Sequence, residues 1–279
     1  MKAFRVFGAQ YRPFAWAKAT ALGLLCAIYL SFCASKIAWS QDSVQRDPRA
    51  FTILAQTFAA GGGQELLASI RDLTETGTVT YNWADPATGD VTVTSRGVHQ
   101  LRVDANLPKG RRTTVIHGDG GSLKGTNGRA RPIYRQSTND LGSLTLPILP
   151  LIAAIQDPAT SIIYRGLVTH DGTQQYDVRL PKVYTKQQHP ARSRGVRKVR
   201  DYYIDPRTFL VTIVSDRTYF GEARHPAITR EVIYSNYQPV HGIMTPLKIA
   251  ETVQGVSAFT MTFSQVAFNS GLADSDFKW

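Results

Sequence analysis

Carboxylates, histidines and glycines are where chemistry in this chain would have to start. The stretch "DYYIDPRTFLV" (201–211) holds Asp201 and Asp205 between apolar runs. Two carboxylates working as a glycosidase pair must face each other across a cleft, several ångströms apart. Four residues apart on one strand, Asp201 and Asp205 would share a face but stand roughly 13 Å apart. Direct cooperation is then out of reach. Asp205-Pro206-Arg207-Thr208 is also a favourable turn, with Asp first and Pro second. The stretch reads as the corner of a hairpin.

The remaining candidates are no stronger. His99, His117, His170, His189, His225 and His241 form no H-x-H, H-E-x-x-H or H-x₃-H pattern and read as turn or surface residues. No G-x-S-x-G elbow is present. "HGDGGSLKGTNGRAR" (117–131) is glycine-rich and contains Lys124. It fits neither the dinucleotide nor the P-loop fingerprint, and strands and turns surround it where a phosphate cradle wants a helix. No catalytic residue, metal ligand set or cofactor is predicted, and an enzyme is not expected.

The elements that position these residues begin after a leader. Residues 1–18 carry Lys2, Arg5, Arg12 and Lys18 and no acid, and 19–35 carry no charge. Ala38 and Ser40 then stand at small-residue positions before Gln41. This is the plan of a secretory signal peptide over 1–40, the alternative being an uncleaved anchor. The single domain is expected over 41–279. Both cysteines, Cys26 and Cys33, fall in the leader, so disulfides and thiolate sites are excluded from that domain.

Of 32 basic residues five precede residue 41, leaving 27 against 21 acidic ones, a net +6. Seven of the 27 fall in "KVYTKQQHPARSRGVRKVR" (182–200), which has no acid. Lys186, Arg192, Arg194, Arg197 and Lys198 are thus candidates for an anionic surface. Nucleic acid is disfavoured by export and by the lack of a matching motif. A membrane surface suits the run better, each Lys or Arg near anionic lipid adding about 1 kcal/mol. The plainer alternative is a long solvated hairpin broken by Pro190 and Gly195.

Asp47-Pro48 opens a helix over 49–60, with Phe51, Leu54, Ala55 and Phe58 at helical spacing. "GGG" (61–63) ends it, and 64–73 gives a second short helix. Period-two alternation marks strands at 78–83, 90–96, 99–104, 161–170, 176–180, 210–216, 230–237 and 259–268. Between them lie turns such as "HGDGGS", "GTNGRA" and "IDPRTF". Pro147 and Pro150 break the apolar insertion 141–158, leaving a loop and a short helix from about Pro150. The sum is an α+β fold: a large antiparallel sheet of about ten strands with helices against one face.

The apolar faces are more suggestive than the carboxylates. Tyr81 and Trp83 share one strand face, and Phe259, Met261 and Phe263 share another. Leu146, Ile148, Leu149, Leu151 and Ile152 crowd the insertion. An ordinary core would use all of them. So would a curved sheet too wide to fill, with 49–60 and 141–158 as a lid over a cavity for acyl chains. Each buried methylene of such a chain contributes about 0.8 kcal/mol.

"GGGQELLASIRDLTETGTVTYNW", where a helix runs into the first strand, and the "YYIDPRTFLVTIV" hairpin resemble segments of the periplasmic lipoprotein-carrier (LolA/LolB-like) superfamily. Tyr234, Tyr237, Val240, Gly242, Ile243 and Pro246 are similar to its Tyr-x-x-Tyr-x-x-hydrophobic-x-Gly-hydrophobic-x-x-Pro strand pair, and "FTMTFSQVAFNSGLADSDFKW" to its last strand and tail. The resemblance spans most of 49–279. It implies an unclosed half-barrel with helices on its concave face, a hydrophobic cavity, and lipid or acylated protein as partner. The arginine that holds the lid of the classical carrier is not identifiable, and 182–200 and 141–158 do not map onto the carriers. A monomer is expected. The alternatives are an outer-membrane barrel, for which Trp279 would be the aromatic end, and an enzyme with no recognisable motif.

Overall fold

Period-two strands separated by Gly-, Asn- and Asp-rich turns build up hairpin by hairpin, and the outcome is one antiparallel sheet. The computed structural model describes residues 44–83, 86–118, 120–133, 144–183, 197–218 and 228–278. The expected leader lies outside them, as do Lys186, Arg192, Arg194 and Trp279. Residues from Val44 onward form one compact unit. Helix α1 (Pro48–Ala60) and the short α2 (Gln64–Ser69) come first. Six strands follow: β1 (Asp72–Tyr81), β2 (Ala87–Arg96), β3 (Gln100–Leu107), β4 (Gly110–His117), β5 (Gly120–Lys124) and β6 (Ala130–Ile133). Helix α3 (Ile148–Gln156) precedes seven more: β7 (Ile163–His170), β8 (Thr173–Val183), β9 (Arg197–Ile204), β10 (Val211–Thr218), β11 (Ile228–Val240), β12 (Ile243–Val253) and β13 (Val256–Phe268).

The order β6-β5-β4-β3-β2-β1-β13-β12-β11-β10-β9-β8-β7 makes two wings joined where β1 pairs with β13. Among the described residues β6 and β7 do not pair with each other, so the sheet is an unclosed half-barrel. One face carries the core. Leu73, Glu75 and Val79 of β1, Val91 and Val93 of β2, Leu101, Val103 and Ala105 of β3, and Phe259, Met261 and Phe263 of β13 are all buried. Register pairs such as Val79 with Met261 and Val93 with Val103 place them side by side on the concave face. The convex face of β3 and β4 is covered by the C-terminal tail, whose 3₁₀ turn (Asp274–Phe277) buries Phe277.

Helix α1 starts where expected. The Asp47 carboxylate accepts the Arg49 N–H at 2.8 Å, and Pro48 fills the first turn, where its missing N–H costs nothing. Ala50, Ile53, Leu54 and Thr57 are its buried face. Its C-terminal end needs glycine. Gly62 has φ 125°, and a Cβ there would lie 2.6 Å from the Gly242 carbonyl.

Some boundaries differ from expectation. Helix α2 stops at Ser69, short of Leu73, because Ile70 is extended and Asp72 already begins β1. The Asp72 carboxylate accepts the N–H groups of Ser270, Gly271 and Leu272, which pins that strand start to the tail. Strand β1 ends at Tyr81, so Trp83 lies beyond the strand. Among the described residues the sheet has thirteen strands, since the glycine-rich turns separate the short strands β5 and β6 from β4 and from each other. Pro150 falls in the first turn of α3, where an orphan N–H is again dispensable.

The "DYYIDPRTFLV" corner is a hairpin. The Asp205 carboxylate accepts from Arg207 N at 2.9 Å and from Thr208 Oγ1 at 3.0 Å, and its carbonyl accepts from Phe209 N at 2.8 Å. Phe209 takes a left-handed φ of 56°. Asp201 is engaged elsewhere, in a two-pronged ion pair with Arg179 at 2.6 and 2.7 Å. Asp205→Ala is expected to lower unfolding stability by about 1 kcal/mol, seen as a lower urea midpoint at unchanged slope. No change would mean that the turn does not depend on this carboxylate.

Candidate functional site

The site is the concave face and what covers it. Along β13, Phe259, Met261 and Phe263 alternate inward and join Val79, Ile249, Val232 and Tyr202 in the main apolar cluster. Leu151 of α3 reaches the same cluster. A second cluster at the other end of the strands holds Leu146, Ile148, Leu67, Leu73 and Ile243, with Leu149 and Ile152 half-buried against it. The apolar residues singled out in the sequence are thus divided between two clusters.

Helices α1 and α3 lie together over one part of this face. Gly61, at the end of α1, faces Ile148, at the start of α3. At the other end Arg46, just before α1, donates to the carbonyls of Ile155 and Asp157 at 2.8 and 2.7 Å. Those are C-terminal carbonyls of α3, where a cation also meets the negative end of the helix dipole. The N-terminal segment is tied in turn to the sheet: Asp47 N donates to Ile162 O at 2.9 Å, and the Arg49 guanidinium lies 4.7 Å from the centre of the Tyr164 ring. Between both helices and strands β10 to β12 lies a small gap of about 10 Å³, beside Thr57, Ile148 and Tyr237.

The other wing is open at one end among the described residues. Beneath the ends of β1 to β6 lies a cavity of about 540 Å³, lined by Tyr81, Trp83, Leu107, Leu123, Arg112 and Arg131 among others. Tyr81 packs edge-on against Phe259 at 5.9 Å, and the Arg112 guanidinium lies 4.4 Å from the centre of the Tyr81 ring. Burial pushes the Tyr81 hydroxyl pKa up, partly offset by Arg112 and reinforced by Glu251. Trp83, 42% exposed, stands at the mouth.

Charge enters the concave face at defined points. Register sets Arg200 of β9 beside Asp216 of β10, and Asp216 beside Arg230 of β11. The ion-pair distances are 3.7 and 3.6 Å, and Arg230 meets Glu251 of β12 at 2.6 Å. The four alternate in sign, as buried charges must if they are to be tolerated. Glu75 is different. It is wholly buried between Val93 and Val266 in the register, and among the described residues neither carboxylate oxygen has a hydrogen-bond partner. Burial pushes its pKa up to about 8, so near neutrality the side chain is predominantly protonated.

On the convex face His170, Asp171 and Glu231 bring their ligand atoms within 4.8 Å of one another. His170 is paired with Glu231 at 3.2 Å and stacked on Tyr203 at 4.2 Å. Sixty residues separate His170 from Glu231, which is why no sequence pattern announced this cluster.

No family model matches the sequence, and no curated protein sequence matches it. Solved structures do match in shape. A DUF1329 family protein of Desulfovibrio piger is 11% identical, with a TM-score of 0.50 over 82% of this chain and 97% of that one. A LolA superfamily protein of Nitrosomonas europaea gives the same identity, coverage and TM-score. This chain has the LolA-type fold. Identity this low speaks to architecture and leaves the site to be argued from its own residues.

Within the LolA-type fold, the predicted cavity residues take distinct places. Leu146, Ile148, Leu151, Phe259, Met261 and Phe263 are buried where helices and sheet meet, and Tyr81 and Trp83 line the open cavity. Arg197 and Lys198 sit on β9, in register with Val183 and Lys182. Sequence reasoning missed Arg46, Arg112 and Glu75. Arg112 was legible in principle, since it shares the inward period of Thr114 and Ile116 on a strand. Glu75 shares the inward period of Leu73 and Val79. Nothing local marks Arg46, whose partners lie 109 and 111 residues away.

Glu75 gives a pH test. Its folded pKa, about 8, lies above the ordinary 4.5. The folded state therefore holds the proton more tightly than the unfolded chain. This contribution to stability is fully present below the unfolded pKa and is lost as pH rises toward the folded one. Glu75→Gln abolishes the titration. Between pH 4.5 and 7 the stability of the variant should gain about 3 kcal/mol relative to wild type. Parallel stability–pH curves for the two proteins would show that Glu75 ionises freely.

Proposed function

We propose that the protein is an exported, non-enzymatic carrier or binding protein that holds lipid or lipoprotein acyl chains in its half-barrel. The observation that carries this reading is the uneven cover of the concave face. Two helices seal one part, while a cavity of about 540 Å³ with Tyr81, Trp83, Leu107 and Leu123 in its wall stays open beside them. Its volume is within the roughly 300–1,000 Å³ usual for small-ligand sites. The cavity adjoins the core through Tyr81 and Phe259. An acyl chain entering beside Trp83 would reach Phe259, Met261 and Phe263 by displacing side chains of the helix layer, with Leu146, Ile148, Leu149, Leu151 and Ile152 forming the lid side.

The polar contacts of the layer suit such movement. At the N-terminal end of α1, the Arg46 bonds to two α3 carbonyls are exposed, hence weakly held. The sequence supports export through its 1–40 leader, with 41–279 as the single binding domain. The basic run around Lys186, Arg192, Arg194, Arg197 and Lys198 would contact an anionic membrane surface, and the carrier would act as a monomer. The non-enzymatic reading is supported by Asp201 and Asp205, which are committed to an ion pair and a turn.

Mass spectrometry of the gently purified protein, with titration by a fluorescent fatty-acid probe, tests the reading. Co-purified apolar material and saturable probe binding near one equivalent are expected. Absence of both would defeat it.

A further inference from the structure

The open cavity has a polarity that acyl-chain binding does not require. Register settles which side chains face it. Arg112 pairs with Ala105, and Ala105 with Val91, both core residues of the concave face. Arg131 pairs with Leu123, Leu123 with Thr114, and Thr114 with the core residue Val103. Arg112 and Arg131 therefore project from the concave face, and both line the cavity together with Arg129 and Lys109. None of the described residues lining it is acidic. Arg112 is half-buried, its Nε is shut off from solvent without a hydrogen-bond partner among the described residues, and its guanidinium lies over the face of Tyr81. Apolar walls from Leu107 and Leu123 stand beside the three guanidinium groups.

We propose that this cleft is a headgroup site for an anionic amphiphile, with a phosphate-class group held by Arg112, Arg129 and Arg131 and the tail directed along Tyr81 toward the core. The proposal rests on the carrier reading and specifies the ligand of that same cavity. Guanidinium groups bind phosphate oxygens two at a time through charge-assisted hydrogen bonds, and several of them suit a multi-oxygen anion better than a neutral or sugar headgroup. The low-dielectric wall beside Arg112 strengthens the attraction. Water reaches the cleft through its open mouth, so the cations are tolerated without ligand.

Isothermal titration of the protein with dodecyl phosphate, dodecyl maltoside and inorganic phosphate, the amphiphiles kept below micelle formation, separates the terms. Dodecyl phosphate should bind roughly tenfold tighter than dodecyl maltoside at low ionic strength, with the gap narrowing as salt is added. The Arg112→Gln/Arg131→Gln double variant should close the gap to within about twofold, chiefly by weakening dodecyl phosphate. Should the double variant fail to fold, Arg131→Gln alone, at an exposed position on the edge strand, must still narrow the gap. Equal affinity of wild type for the two amphiphiles would overturn the proposal, as would a gap that survives in the folded variants. Inorganic phosphate binding as tightly as dodecyl phosphate would overturn it in favour of a free-anion site. If neither amphiphile binds, the carrier reading itself fails and the headgroup site with it.

Discussion

Strands β1 and β13 belong to opposite ends of the described chain, yet nine register pairs from Leu73–Phe268 to Tyr81–Phe259 bind them. Bringing such distant segments together costs loop-closure entropy, but that cost grows only slowly with length. The return is large, because without this pairing the two wings would be separate hairpin stacks, each with another exposed edge. The junction is irregular at one point. Between Thr76 and Gly77 the register shifts, and a Cβ on Gly77 would collide with the Thr262 carbonyl. Glycine permits the close approach, and the bulge adds local twist that helps the sheet curve.

A curved sheet this wide has more concave surface than two helices can cover. Helices α1 and α3 settle where the chain tethers them. Asp47 and Gln45 bond to Ile162 beside β7, and the Gly61 carbonyl accepts the Met244 N–H at 3.0 Å beside the β11–β12 turn. Both anchors lie in the β7–β13 wing; the helices also share the core with the middle of β1 to β4, and only the ends of β1 to β6 border the open space. The position of the cavity thus follows from where the helix layer is fastened. The C-terminal tail solves the opposite problem on the convex side, with Arg102 donating to the Asp276 and Lys278 carbonyls and Phe277 buried against the sheet.

Much of this was legible in the sequence because each part had a local cause. Asp47-Pro48, the glycines at 61–63 and Asp205-Pro206 are caps and turns whose chemistry acts within a few residues, and alternation in "FTMTFSQVAF" placed Phe259, Met261 and Phe263 on one face. Strands β5 and β6 were not legible, since Gly120, Gly121 and Pro132 carry no alternation; β5 pairs along the edge of β4, and β6 along that of β5. The site was legible in part. The apolar lining could be named from type and period, but its division into a sealed and an open region depends on helix tethers more than a hundred residues long in sequence separation. Charge on the concave face was hidden for the same reason. Arg200, Asp216, Arg230 and Glu251 find one another only through the strand order.

The two halves of the concave face treat charge in opposite ways, and burial explains the difference. In the β9–β12 half the Asp216 and Arg230 side chains are 1% and 4% exposed. A charge so far from water must be neutralised within the protein, and there two cations alternate with two anions. In the β1–β6 half the cavity is open to solvent, water can stabilise each guanidinium, and no described acid lines the wall. Tyr81 lies between the two regimes, acted on by Arg112 from one side and Glu251 from the other. Anything that fills the open half and expels its water removes the solvation on which those cations depend. The occupant that avoids this desolvation cost brings its own negative charge, and so does for Arg112 what Asp216 already does for Arg230.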